Sequence, residues 1–126
     1  MSPPQKRPVF LNLLQIRQPV TAVLSILHRI TGVLMTLLLP GFIYLLVLSL
    51  ESEDGFARVA NLLSTNTTKV FIVLLAWALA HHLLAGIRFL LLDVDIGVSR
   101  AAARKTAWLT HGSAIVLAAI LAGVLF

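Results

Sequence analysis

Residues 21–50 read TAVLSILHRITGVLMTLLLPGFIYLLVLSL. Almost every position is apolar, and the run exceeds the roughly 20 helical residues that cross a hydrocarbon core of about 30 Å. Yet its first half carries Ser25, His28 and Arg29. A charged side chain deep in a bilayer costs about 2.5–3.5 kcal/mol on insertion scales. Side chains kept at such a cost usually face a bundle interior and bind something.

Two further apolar runs follow, at residues 70–92 and 107–126. The chain has 126 residues, 59% hydrophobic and 12% charged, with a mean hydropathy of +0.96. That is too apolar for an ordinary soluble domain. The expectation is an all-α fold: one membrane-anchor domain over residues 1–126, with an N-terminal arm at 1–20 and transmembrane helices at about 21–50, 70–92 and 104–126. Pro3, Pro4, Pro8 and Pro19 argue against a regular helix through the arm, and Pro19 suits a helix start. Residues 51–69 form a polar loop with room for a short interfacial helix around 55–63. Pro40 is expected to bend the first helix in its outer half.

The first apolar run is too long, and its flank too charged, for a cleavable signal peptide. There is no Cys, so a haem or transition-metal site would use His. The formal charge is +5. Lys6, Arg7, Arg17 and Arg29 lie at the first span's start, and Arg88, Arg100, Arg104 and Lys105 between the later spans. Glu51, Glu53 and Asp54 lie in the first loop. The positive-inside rule puts the N-terminus in the cytoplasm and the C-terminus outside. Nucleic-acid binding is excluded, because the cations bracket membrane spans rather than forming an aromatic-interleaved surface.

On a helical wheel, Thr21, Ser25, His28, Arg29, Gly32 and Thr36 share one side of the first helix. In the second, Ala78, His82, Ala85, Gly86 and Phe89 share a face, and His81 points about 100° away, towards Trp77 and Arg88. In the third, His111, Ala114, Ala118 and Ala122 form a small stripe that reads as packing.

His82 is the candidate metal ligand, an imidazole near mid-membrane in a stripe of small residues that lets a flat group approach. The competing reading is an interhelical hydrogen bond. Ser25 and Arg29, one turn apart, can donate hydrogen bonds to the carbonyl of a quinone; taken alone, the pair reads better as an Arg reaching headgroups and a Ser bonding its own backbone. His28 and Arg29 suit haem propionates, or form an interfacial cluster. Arg88 shares that ambiguity near a helix end where snorkelling is cheap. Asp93 and Asp95 read as a solvated loop that caps the helix or pairs with nearby Arg. No nucleophile triad, phosphate loop or H-E-x-x-H spacing is present, so no catalytic residue is assigned.

Arg7-Pro8, Leu14-Gln15-Ile16-Arg17 and Ser25-Ile26-Leu27-His28-Arg29-Ile30-Thr31-Gly32-Val33 resemble the start of the succinate dehydrogenase cytochrome b subunit, whose family carries Ser-x-x-His-Arg-x-(Thr/Ser)-Gly. His82-Leu83-Leu84-Ala85-Gly86-Ile87-Arg88, then Asp93, is similar to its His-x-x-x-Gly-Ile-Arg-His segment. The resemblance covers about residues 7–97. It departs at Phe89, where the family usually has His, and at an apparent two-residue insertion near Val94-Asp95.

The resemblance implies a three-helix bundle packed with a second membrane-anchor subunit, in a complex with a flavoprotein that oxidises succinate and an iron–sulfur subunit that carries electrons. It implies His82 as an axial ligand of haem b, with the other ligand on the second anchor. Ser25 and Arg29 would be quinone-site residues, and His28 and Arg29 would lie by the haem propionates. The chain is then expected to be a non-catalytic subunit of succinate:quinone oxidoreductase in a bacterial inner membrane, serving the respiratory chain and tricarboxylic acid cycle with ubiquinone as substrate. The alternatives are a fumarate reductase anchor, a haem-free structural anchor, and a small transporter subunit using Arg29 and His82.

Overall fold

The computed structural model describes Asn12 and residues 15–126. Pro3, Pro4, Lys6, Arg7, Pro8 and Leu14, which carry most of the predicted arm and the first piece of the motif, lie outside the described residues. Four helices follow in order, with no strand among the described residues: α1 (Val20–Glu51), α2 (Glu53–Ser64), α3 (Asn66–Asp93) and α4 (Arg100–Leu125). α1, α3 and α4 are each long and apolar enough to cross a membrane. The protein is an all-α, multi-pass membrane protein.

α3 and α4 each begin a turn before the apolar runs predict, at 66 rather than 70 and at 100 rather than 104. The starts are set by polar caps outside the apolar runs. The Thr65 hydroxyl accepts from the Thr68 N–H at 3.3 Å, and the Ser99 hydroxyl from the Ala102 N–H at 3.3 Å. Each satisfies a backbone donor that the helix leaves unpaired. α1 starts after Pro19, whose carbonyl accepts from Ala22 and Val23. Pro40 sits inside α1 on an exposed face, and the helix runs through it without a break.

The interfacial segment is a helix of 12 residues. Ser52 accepts from the Gly55 N–H at 3.0 Å. Glu53 and Asp54 occupy the first turn, where acidic groups oppose the helix dipole favourably. Asp54 also pairs with Arg58 at 3.1 Å, one turn on. Val59 is buried, whereas Phe56, Leu62 and Leu63 are exposed.

The loop from α3 to α4 closes α3 with two backbone bonds, Ile96 N–H to Leu91 O at 2.9 Å and Asp95 N–H to Leu92 O at 3.0 Å. That is a Schellman arrangement, which needs a left-handed residue at the position of Asp95. Asp95 supplies it with φ 61. Asp95 therefore ends the helix through its backbone. Among the described residues neither Asp93 nor Asp95 forms a salt bridge.

α3 and α4 pack along small residues, Ala78 and Ala85 against Ala107, Ala114 and Ala118, all buried. Small side chains let the two backbones approach, which is how membrane helices gain contact without a hydrophobic drive. α1 joins this seam through Leu24, which is fully buried with Ala85 and Ala107 and flanked by Val20 and Phe89. At the opposite end, Lys69 Nζ donates to the Leu125 carbonyl at 2.9 Å and lies over the Phe126 ring.

A Cβ at Gly55 would collide with the Leu48 carbonyl, where α2 folds back on α1; a Cβ at Gly41 would meet nothing within 4 Å. Gly55→Ala should therefore destabilise the protein by about 1–3 kcal/mol. The thermal unfolding midpoint of the purified protein should fall for Gly55→Ala and not for Gly41→Ala. Equal behaviour of the two variants would contradict the close approach.

Candidate functional site

His28 and His82 meet where α1 crosses α3. Their rings stack with centroids 4.1 Å apart and planes 10° from parallel. The Nδ1 atom of His82 lies 3.0 Å from the His28 backbone carbonyl and 3.3 Å from the Thr31 hydroxyl. A carbonyl oxygen only accepts, so Nδ1 carries the proton and donates it. The lone pair is then on Nε2, which has no hydrogen bond among the described residues. Thr31 is buried, and its own hydroxyl donates back to the Leu27 carbonyl at 2.8 Å.

The carbonyl of His28 is available because it lies beside a turn of α1 that carries no bulk at the crossing. A Cβ at Gly32 would stand 2.8 Å from His82 Cε1 and 3.9 Å from Nε2. Glycine there gives the ring its place against α1. His28, Arg29, Gly32 and His82, with Val33, Met35, Thr36 and Leu37, line an open groove of about 630 Å³. That is within the size range of cofactor sites. Its walls are largely apolar, with an imidazole and a guanidinium at one end.

The predicted site residues thus divide. His28, Arg29 and His82 come together on this groove. Arg29 is exposed, and it makes no hydrogen bond or salt bridge among the described residues. Ser25 lies one turn before Arg29 on the same side of α1, half-buried and outside the groove lining. Phe89 meets His28 edge-on at 5.2 Å, so the ring at this position packs against the site rather than donating to it.

The neighbouring histidine has another role. His81 is fully buried, with Nε2 at 3.1 Å from His111 Nδ1 on α4. The buried residues of α3 are Ala78, His81, Ala85 and Arg88. The small stripe therefore serves the α4 seam with His81, and His82 faces α1 from the adjoining arc. This revises the face on which the sequence put Ala78 and Ala85 together with His82. The physical reason is α4 itself, whose own small residues take the flattest face α3 offers. His111, expected only to pack, is the hydrogen-bonding partner of His81.

Arg88 is not a snorkelling side chain. It is 6% exposed, and it donates from Nε to the Thr106 hydroxyl and from Nη2 to the Ala103 carbonyl, each at 3.0 Å. Both partners are on α4, so Arg88 is held in the seam and away from the groove lining.

Among the described residues no three His, Asp or Glu side chains cluster as a metal cage. What the groove offers a metal is one oriented imidazole. This suits an iron held in a planar macrocycle, which needs only axial ligands from protein. A carbonyl holding the far nitrogen of a ligating His is also the usual outer-shell arrangement. The residues present therefore fit a haem better than a protein-caged ion.

The comparisons with known proteins agree in coverage. A family model described as the succinate dehydrogenase/fumarate reductase transmembrane subunit matches residues 3–122. The chain is 36% identical over 120 residues to the succinate dehydrogenase cytochrome b556 subunit of Coxiella burnetii, covering 94% of this chain and 95% of that one. It is 30% identical over 116 residues to the subunit of the same name from Rickettsia prowazekii, covering 92% and 90%. It is also 30% identical over 120 residues to that of Paracoccus denitrificans, covering 95% and 92%. With one match running through all three spanning helices and relatives aligned nearly end to end, the chain belongs to the succinate dehydrogenase/fumarate reductase transmembrane subunit family.

Proposed function

We propose that this chain is the haem b- and ubiquinone-binding membrane anchor of a succinate dehydrogenase. In this role it helps pass electrons from the iron–sulfur subunit to quinone in the respiratory chain and tricarboxylic acid cycle. The observation that carries the reading is the hydrogen bond from His82 Nδ1 to the His28 carbonyl, which leaves Nε2 as a free donor beside an apolar groove. The relatives' name, cytochrome b556 subunit, supports the haem.

In this reading His82 would hold the haem iron through Nε2. The His28 carbonyl and the Thr31 hydroxyl fix its ring and tautomer, and a carbonyl-bonded imidazole is the more basic ligand. His28 and Arg29 would hold the propionates by charge-assisted hydrogen bonds. Haem b, when bound, supplies a one-electron redox centre. A second anchor subunit would supply the other group that holds the iron, since His82 is the imidazole that a hydrogen bond to α1 fixes at the groove.

Ser25 and Arg29 hold ubiquinone. Their shared side of α1 puts a hydroxyl and a guanidinium one turn apart, both able to donate to a carbonyl oxygen. Arg29 favours the negative charge that builds on that oxygen during reduction. Succinate oxidation belongs to the flavoprotein, and this chain contributes no catalytic residue to it. The chain is one anchor domain in a bacterial inner membrane. By the charge asymmetry of its loops, the N-terminus and the α3–α4 loop are cytoplasmic, and α2 and the C-terminus are periplasmic. An exposed Arg29 and an open groove in a bilayer require cover from the second anchor and the iron–sulfur subunit.

His82→Ala should abolish the low-spin haem b signal in a reduced-minus-oxidised spectrum of the purified complex, and His81→Ala should retain it. Thr31→Val should weaken haem retention by about 10-fold or less, since the His28 carbonyl remains. The opposite behaviour of His81 and His82 would overturn the ligand assignment.

Ser25→Ala and Arg29→Leu should each lower quinone reductase activity by roughly 10- to 100-fold, the worth of a hydrogen bond to a charged or charging group. Succinate oxidation by an artificial acceptor at the flavoprotein should persist in both. Unchanged quinone kinetics in both variants would refute the quinone site while leaving the haem assignment standing.

A further inference from the structure

The outward face of α4 carries a second groove, turned away from the seam formed by Ala107, Thr110, Ala114 and Ala118. It has a volume of about 740 Å³ and runs from Lys105 to Leu117, edged by Leu84 of α3. Trp108 and Leu109 stand near its entrance, and Val116 and Leu117 at its far end. Gly112 and Ser113 lie between them, and a Cβ on Gly112 would meet nothing within 4 Å. Along the helix axis the track is about 18 Å long. One leaflet contributes about half of a 30 Å hydrocarbon core, so the track matches the depth of one leaflet.

The entrance is basic. Lys105 itself lines the groove. Arg104 lies one turn before Trp108, and Arg100 one turn before Arg104. All three cations are exposed, and none forms a salt bridge among the described residues. The first turn of α4 has no acidic residue. The carboxylates that precede α4 in the chain, Asp93 at the end of α3 and Asp95 in the loop, are exposed and leave these cations unpaired. The helix dipole disfavours cations at this end, so helix stability does not explain their placement. None of them touches the haem and quinone groove.

We propose that this face of α4 binds an anionic phospholipid, its phosphate held by Lys105 and Arg104 and one acyl chain lying along Gly112, Ser113 and Val116. A phosphate needs cations or hydrogen-bond donors, and an acyl chain needs an apolar track open to the bilayer. The groove offers both in the order a lipid presents them. The site rests on α3 and α4 crossing the membrane and is independent of the haem and quinone assignments.

The test uses the assembled complex in lipid nanodiscs, with either phosphatidylglycerol or phosphatidylcholine brominated on its acyl chains as the quenching probe. The Trp108 signal is the fluorescence of the wild-type complex minus that of Trp108→Phe. Brominated phosphatidylglycerol should quench it at lower mole fraction than phosphatidylcholine, with a preference of roughly fivefold for each cation engaged. Arg104→Gln/Lys105→Gln should abolish the preference while leaving quenching by phosphatidylcholine. Gly112→Leu should reduce quenching by both lipids. Equal quenching of wild type by the two lipids, or a preference that survives in the double variant, would overturn the headgroup site. Quenching unchanged in Gly112→Leu would overturn the acyl track. No quenching by either lipid would mean that another protein chain covers this face, and the proposal would fail.

Discussion

A single hydrogen bond organises the site: His82 Nδ1–H to the backbone carbonyl of His28 at 3.0 Å. It is made between two membrane-spanning helices, where an unpaired polar atom is expensive. It ties α1 to α3, and it sets which ring nitrogen is free. Gly32 makes room for it, because a side chain there would push the ring off the carbonyl. Thr31 backs it with a second acceptor at 3.3 Å. The stacked pair and the groove wall beside Gly32 depend on where that bond holds the ring.

The other polar groups in the spans are drawn together between α3 and α4, with His81 Nδ1 and His111 Nε2 left buried and unpartnered among the described residues. His81 pairs with His111, and Arg88 with Thr106 and the Ala103 carbonyl. Each joins α3 to α4. These contacts run alongside the alanine seam, so α3 is committed on two adjoining arcs. One arc is closed and structural, facing α4. The other, carrying His82 and Phe89, faces α1 and leaves the groove open beside it. Adjacent histidines in sequence thereby acquire opposite roles, one buried in a packing seam and one presenting a free donor.

The spans and the polar side of α1 are legible in the sequence, because length, hydropathy and the 3.6-residue period report them directly. His28, Arg29 and Gly32 share a side on the wheel and do share the groove. The partners are harder to read. Thr31 falls off that polar side, and its role comes from a backbone carbonyl that no sequence displays. The partners of His111 and Arg88 are illegible for the same reason: periodicity names the face a residue occupies but not the helix opposite. The helix starts at Asn66 and Arg100 depend on caps at Thr65 and Ser99, which hydropathy does not register. The close approach at Gly55 is likewise a tertiary event, set where α2 folds against the Leu48 carbonyl.

In the proposed function, one nitrogen of His82 is tied to α1 so that the other is free to bind iron. A high-resolution map of the assembled complex with its haem in place tests this most directly. The expected map has His82 Nε2 on the iron, with Nδ1 within hydrogen-bonding distance of the His28 carbonyl and His81 still paired with His111. Iron bound by His81, by His28 or by His82 Nδ1 would contradict it.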